Sequence, residues 1–346
     1  MQGTDPTVEK CCNGLIEVST PSIVSLLRAL DLRAVEPVLW EAYSGRRRRP
    51  SHPPAAMLRA LIFQKIRQIP SWRKLASTLK HETEWLPVLG FDRAPHHDCF
   101  SEFTKRVGPE RFRRVFLILQ SQLRLSYPGL GQRIAMDSTI VKGYSNPRRQ
   151  KRTVSDPDAA WGVTVQKPSK PAYVFGYKLH ISCDVDFGLP LDYLVVPANR
   201  SDSRLYYPTL LSTMAAGNRV EVVIADAGYD SKRNILLTLK HHAIPIIQLN
   251  PRRSKEKRGR RADYLLPVRR GSEEWKRHYN MRTSVERVFS RLKEELGLEH
   301  LKLRRLQRVE VHFALCLIAM AAIASTATIT GFSHLALCIE PWRYYG

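Results

Sequence analysis

Three carboxylates and a basic stripe set out the chemistry that this sequence can carry. Asp137 lies inside Arg133-Ile-Ala-Met-Asp137-Ser-Thr-Ile-Val141, which reads as a strand, where an unpaired charge is costly. Asp226 closes a segment whose apolar run, Val220, Val222, Val223 and Ile224, suits a strand buried on both faces. Glu286 belongs to Tyr279-Asn-Met-Arg282-Thr-Ser-Val-Glu286-Arg-Val-Phe-Ser-Arg-Leu-Lys293. At about 100° per residue, Tyr279, Arg282, Glu286 and Lys293 fall within roughly a 60° arc of one helix. Val285, Phe289, Leu292 and Leu296 make an apolar stripe beside it, so the helix is expected to dock one face and present a carboxylate among groups suited to phosphate. Carboxylates converging from separated segments can hold two divalent cations about 4 Å apart, one activating the attacking oxygen and one stabilising the leaving oxygen of an in-line phosphoryl transfer. Mg2+ suits such a site because it takes oxygen ligands and keeps waters that phosphate oxygens replace. No protein nucleophile is required; water or a DNA 3′-hydroxyl attacks. Taken singly, a strand-end aspartate is more often a cap or turn residue, and a charged helix face is more often solvated surface. The combination is far more specific.

Convergence needs a sheet. After the linker Tyr127-Pro-Gly-Leu-Gly131 the pattern changes to strands at 133–141, 173–183 and 189–197, the last two joined as a hairpin by Asp184-Val-Asp-Phe-Gly188. A helix at 203–215 crosses to a strand with Asp226 at its carboxyl end, where sites collect in open sheets. A helix at 232–242 and a strand at 244–249 complete an α/β alternation. Two basic segments read as loops: 146–171, with Arg148 and Arg149, and 251–261, with Arg252, Arg253, Arg260 and Arg261, all candidates for DNA contact. Upstream, short helices are expected at 21–31, from Pro53 onward, at 71–79 with Ser71 as N-cap, at 99–106 with Asp98 as cap, and at 110–125. They fit a helix-turn-helix DNA-binding unit, and equally any small helical domain. His96, His97, Asp98 and Cys99 resemble metal ligands, but no second cluster completes a site, so they read as loop and cap residues.

A formal charge of +23 over 346 residues, with a pI near 10.1, points to a polyanionic partner. The six cysteines show no CxxC pair and no zinc spacing, which fits reduced thiols in a cytoplasmic protein, and the N-terminus lacks the basic and apolar regions of a signal peptide. The segment 311–329 is nearly long enough to span a bilayer, but its Ala, Ser and Thr content predicts a buried helix covering a sheet, with no membrane partner. The expected division is a helical DNA-binding and dimerisation domain at 1–130, an α/β catalytic domain at 131–330 and a tail at 331–346.

The chain resembles the DDE transposases of prokaryotic insertion sequences, which use a ribonuclease H-like catalytic domain. The most specific part is the signature Y-x2-R-x3-E-x6-K, met by Tyr279, Arg282, Glu286 and Lys293 without a gap. Ala135-Met-Asp137-Ser-Thr, Gly176-Tyr-Lys-Leu-His180 and Ala225-Asp226-Ala-Gly-Tyr229 are also similar. The resemblance covers about 131–325 strongly and about 50–110 loosely. It implies a ribonuclease H-like mixed sheet flanked by helices, preceded by an all-α domain. It also implies a metal triad of Asp137, Asp226 and Glu286 with two Mg2+ ions that Mn2+ can replace. Tyr279, Arg282 and Lys293 would handle the transposon end, and at least a homodimer would join two ends on double-stranded DNA. One departure stands out: about 60 residues separate Asp226 from Glu286, where several relatives insert a β-rich subdomain that helps stabilise a hairpin intermediate. The second-strand cleavage route is therefore open. Two other functions stay open as well: a catalytically silent DNA-binding derivative, and a ribonuclease H-like nuclease without strand transfer.

Overall fold

Ser22 and Ser71 begin helices because each side-chain oxygen accepts from a backbone N–H three residues on, at Ser25 and Lys74, satisfying donors that the first helical turn leaves unpaired. The computed structural model describes residues 8–10, 16–18, 20–44, 50–145, 147, 155–167, 170–250 and 263–344. A two-stranded antiparallel ribbon, β1 (Val8–Lys10) and β2 (Ile16–Val18), precedes α1 (Ile23–Ala29), α2 (Glu36–Glu41), α3 (Pro54–Ile66), α4 (Trp72–His81), α5 (Trp85–Leu89) and α6 (His97–Ser126). The helices expected at 99–106 and 110–125 lie within α6, which breaks at Gly108 (φ 72, ψ 167) where Pro109 follows. Asp98 lies in the first turn of α6 instead of capping it, and accepts from or pairs with His96 and His97 Nδ1 at 3.2 and 3.0 Å.

These helices form one compact unit, Met1–Ser126 with Arg291–Lys302 and Gln307–Gly346; the other unit is Tyr127–Ser290 with Leu303–Leu306. The helical unit thus takes chain from both ends, whereas borders at 130 and 330 follow chain order. The long apolar helix belongs to this unit from Gln307 onward. That helix is the one among the described residues long and apolar enough to cross a membrane, and 83% of its most apolar window is buried. Being apolar all round, it needs neighbours on every side, and it is buried along nearly its whole length. Buried Lys65 of α3 donates from Nζ to His312 Nδ1 at 2.8 Å, and His312 Nε2 reaches Leu298 O at 3.0 Å.

The second unit carries the sheet. Its strands are β3 (Arg133–Lys142), β4 (Ala160–Lys167), β5 (Lys170–Asp184), β6 (Pro190–Pro197), β7 (Val222–Ala225) and β8 (Ile244–Ile247), in the order β4-β5-β3-β7-β8 with β6 also on β5. Long β5 pairs antiparallel with β3, with β4 over its first part and with β6 over its second, while β7 and β8 run parallel to β3. Helices α7 (Asp202–Ala215) and α8 (Lys232–Lys240) make the crossovers that parallel strands require. The core path β6-β5-β3-β7-β8 is a ribonuclease H-like mixed sheet flanked by helices, the fold class expected from the sequence. Strand β4 was not expected: 146–171 reads as loop by its charge, yet its second half adds an edge to the sheet. Last come α9 (Glu273–Asn280), α10 (Thr283–Ser290) and, after a π-helical turn Arg291–Glu295, α11 (Leu306–Ile329), the long apolar helix described above.

Candidate active site

Parallel pairing of β3 and β7 places Met136 opposite Ala225, so the residues that follow, Asp137 and Asp226, leave neighbouring strands side by side. Side chains alternate along β3, so Asp137 and Ser138 point to opposite faces. Asp137 meets Arg282, which precedes α10, while Ser138 Oγ donates to Asp202 of α7 at 2.7 Å. The carboxylate therefore faces the helix that carries Glu286. Val285 and Phe289 of that helix are buried, as the apolar stripe predicts, and Ser284 Oγ donates to Val185 O at 2.9 Å.

Arg282 ties the carboxylates together. Its Nη1 donates to Asp137 Oδ2 at 3.1 Å and its Nη2 pairs with Glu286 Oε1. Its charge also acts on Asp226. Tyr279 stacks on Trp275 with ring centroids 4.6 Å apart and an interplanar angle of 13°, and the Arg282 guanidinium carbon lies 6.0 Å from the Tyr279 ring. Burial pushes Asp137 up from its ordinary 3.8 to about 6; the negative charge of Asp226 adds to this, while the Ser138 N–H and Arg282 oppose it. Asp226 is raised too, first by burial, although Gly228 N–H donates to its Oδ1 at 2.8 Å. That bond makes Asp226 the cap of the short turn Ala227–Tyr229, so the bland role of a strand-end aspartate is fulfilled as well. Burial works against the Arg282 charge, but Asp137, Glu286, Tyr279 and Asp226 outweigh it and hold its pKa above the ordinary value.

The continuous helix expected from Tyr279 to Lys293 is not formed. Between α9 and α10 the backbone bonds tighten, with Arg282 N–H on Tyr279 O at 3.0 Å and Val285 N–H on Arg282 O at 3.1 Å, and beyond Ser290 the π-helical turn widens the spiral. Lys293 lies within that turn, in the helical unit, and pairs with Glu299 at 3.1 Å. Arg148, Arg149, Arg252, Arg253, Arg260 and Arg261 lie outside the described residues. The segment holding the last four is nevertheless flanked by tied ends: Arg270 donates to Asp263 at 2.6 Å and to Asp230 at 2.7 Å, and Asp230 accepts from Asn250 N–H at 3.0 Å.

The donor set fits a hard divalent cation. It is all carboxylate oxygen, and a guanidinium already stands as a cation between two of its members. The three carboxylates are more widely spaced than a closed ligand cluster, since among the described residues only His96, His97 and Asp98 bring ligand atoms within 4.8 Å of one another. Those three are largely exposed, and one carboxylate shared between two imidazoles accounts for their approach.

Residues 128–321 match the family described as Transposase DDE domain. The chain belongs to that family. This transposase also matches, over residues 16–106, a family described as Transposase domain (DUF772). No curated protein matches the chain significantly. Among solved structures it is similar to the Mos1 transposase paired-end complex with left transposon end, 12% identical over 74% of this chain and 81% of that one, with a TM-score of 0.22, too low to bear on the fold. Members of the DDE family use divalent metal ions. One acidic neighbour of the site escaped the sequence reading: Asp202, whose charge bears on both Asp137 and Asp226. The only local sign of it is an acidic residue in the first turn of α7, which is ordinarily helix capping.

Proposed function

We propose that this transposase, of the Y-R-E-K signature group, binds the terminal inverted repeats of a prokaryotic insertion sequence on double-stranded DNA. There it hydrolyses a phosphodiester bond and joins the freed 3′-hydroxyl to target DNA, acting as a homodimer in the cytoplasm at the nucleoid. The observation that carries this reading is the pair of half-buried aspartates on adjacent parallel strands, facing a glutamate across a guanidinium that two carboxylates already share. In this reading Asp137, Asp226 and Glu286 would hold Mg2+, two ions to a site with Mn2+ as a substitute. Bound there, the cations would activate the attacking oxygen and offset charge on the leaving one.

The protein's own groups supply position and charge. Asp137 and Asp226 are each fixed through one oxygen by backbone N–H donors at Ser138 and Gly228, so the other oxygen of each is pre-oriented. Arg282 presents a planar fork that matches a phosphate as well as a carboxylate, so an incoming DNA backbone competes for its N–H groups and frees Asp137 and Glu286. Tyr279, backed by Trp275, offers a flat ring on which a base can stack. Lys293 and the arginines at 148, 149, 252, 253, 260 and 261 add phosphate contacts, and the helical unit contributes DNA binding and dimerisation.

A labelled duplex carrying the element's ends, incubated with Mg2+ or Mn2+, tests the reading. Wild type should nick the ends and, given pre-cut 3′-hydroxyl ends, yield joined product; Asp226→Asn should bind the duplex and do neither. Asp226→Asn cutting as wild type does would sink the assignment. Cleavage without joined product would make the protein a nuclease, and metal-independent binding without cleavage would make it a silent derivative.

A further inference from the structure

Two motifs have no part in that chemistry, Gly176-Tyr-Lys-Leu-His180 and the Tyr229 that follows Asp226. They meet on the α7 face of the sheet. Lys178 Nζ donates to Asp202 Oδ1 at 2.8 Å and to Arg200 O at 2.7 Å, and Ser138 Oγ donates to the same Asp202 oxygen at 2.7 Å. Tyr229 Oη lies 2.8 Å from His180 Nε2, and His180 Nδ1 lies 2.8 Å from Thr209 Oγ1. Thr209 commits its single proton to Leu205 O at 2.9 Å. Nδ1 of His180 must then carry the proton given to Thr209, Nε2 must accept, and the Tyr229 hydroxyl must donate to it. Burial keeps His180 neutral, its pKa lowered to about 4, which leaves a single tautomer. The two chains of hydrogen bonds are joined through the sheet, because Ser138 of β3 stands directly opposite His180 of β5.

Both carboxylate-bearing segments are tied into this layer. Ser138 directly follows Asp137 and donates its N–H to Asp137 Oδ1 at 2.8 Å, while Tyr229 closes the turn that Asp226 caps. Lys178, His180, Thr209 and Tyr229 are all buried, and a buried polar chain tolerates little slack, because any displaced member loses its partner where no water replaces it. We infer that this layer, with Asp202 and Tyr229 as its positioning residues, sets the separation of Asp137 and Asp226 and thereby their joint grip on a divalent cation. The inference rests on the cation site proposed above.

Mn2+ titration of the full-length protein, read by electron paramagnetic resonance of the free ion, tests it without reference to cleavage. Tyr229→Phe keeps the ring and removes the donor to His180; it should weaken Mn2+ binding about 10-fold or more, the usual effect of losing a group that orients ligands. Tyr206→Phe is the control: this equally buried phenol, on the same face, hydrogen-bonds Thr238 instead, and its loss should leave Mn2+ affinity as in wild type. In an Asp226→Asn background Tyr229→Phe should cost nothing further. Asp202→Asn, which keeps an acceptor for Ser138, is the second variant and should weaken binding likewise. Tyr229→Phe or Asp202→Asn, folded by circular dichroism, binding Mn2+ as wild type does would overturn the inference. So would an undiminished effect of Tyr229→Phe beside Asp226→Asn. Wild type binding no Mn2+ would remove the cation site itself and this inference with it, a result distinct from wild-type binding that the variants match.

Discussion

Asp137→Asn should make the metal-free protein more stable at pH 8. Burial is the largest cause of the rise of Asp137 from 3.8 to about 6, so the folded chain holds this proton more tightly than the unfolded chain, where an aspartate titrates near 3.9. A carboxylate raised in this way contributes stability that is whole below about pH 4 and is lost as pH climbs through about 6. Each pH unit between those limits is worth about 1.4 kcal/mol, and the side chain is 20% exposed, so the ionised carboxylate costs the fold about 2–3 kcal/mol at pH 8. Asparagine has nearly the same shape and never ionises. Urea unfolding in the presence of a chelator, at pH 4, 6 and 8, should therefore show the variant level with wild type at pH 4 and ahead by about 2–3 kcal/mol at pH 8, with unchanged slope. Mn2+ should then reverse the order at pH 8, because a ligand that binds only the folded wild type stabilises it by mass action. A stability difference that does not vary with pH, or a variant weaker than wild type at pH 8 in chelator, would refute the argument from burial.

Lys293→Ala should weaken duplex binding across sequences and lower the salt dependence by about one released counterion, measured by fluorescence anisotropy over a range of salt. An unchanged slope would mean that Lys293 serves only its pairing with Glu299. Gly176→Ala should cost at least about 3 kcal/mol in chemical unfolding, since its Cβ would stand 2.1 Å from Val141 O and 2.6 Å from Gly143 N, both backbone atoms of the adjoining strand and its continuation. Near wild-type stability would mean that β3 and β5 part there at little cost.

Much of the fold was legible in the chain. The apolar run before Asp226 could only be a buried strand, the Ser71 cap and the turn at 184–188 declared themselves by residue type, and an α/β alternation with a charge inside its first strand already pointed to a site at the sheet. Those are local facts, carried by side-chain size, branching and hydrogen-bonding groups within a few residues. Long-range matters were not legible. Helical periodicity predicted one continuous helix from Tyr279 to Lys293, but the tightened step at Arg282 and the π-helical turn after Ser290 depend on what the chain packs against. Charge made 160–167 look like loop, although pairing with β5 recovers enough backbone hydrogen bonds to make it a strand. The apolar helix at 306–329 announced its burial but not its company, because an all-round hydrophobic surface records no direction. Asp202 reads as helix capping until β3 and α7 are brought together, and only that packing turns an ordinary first-turn aspartate into a partner of Ser138 and Lys178 beside the two aspartates. Composition and spacing determined which groups the protein possesses; the pairing of strands and the packing of helices decided which of them share a volume small enough for their charges to be felt.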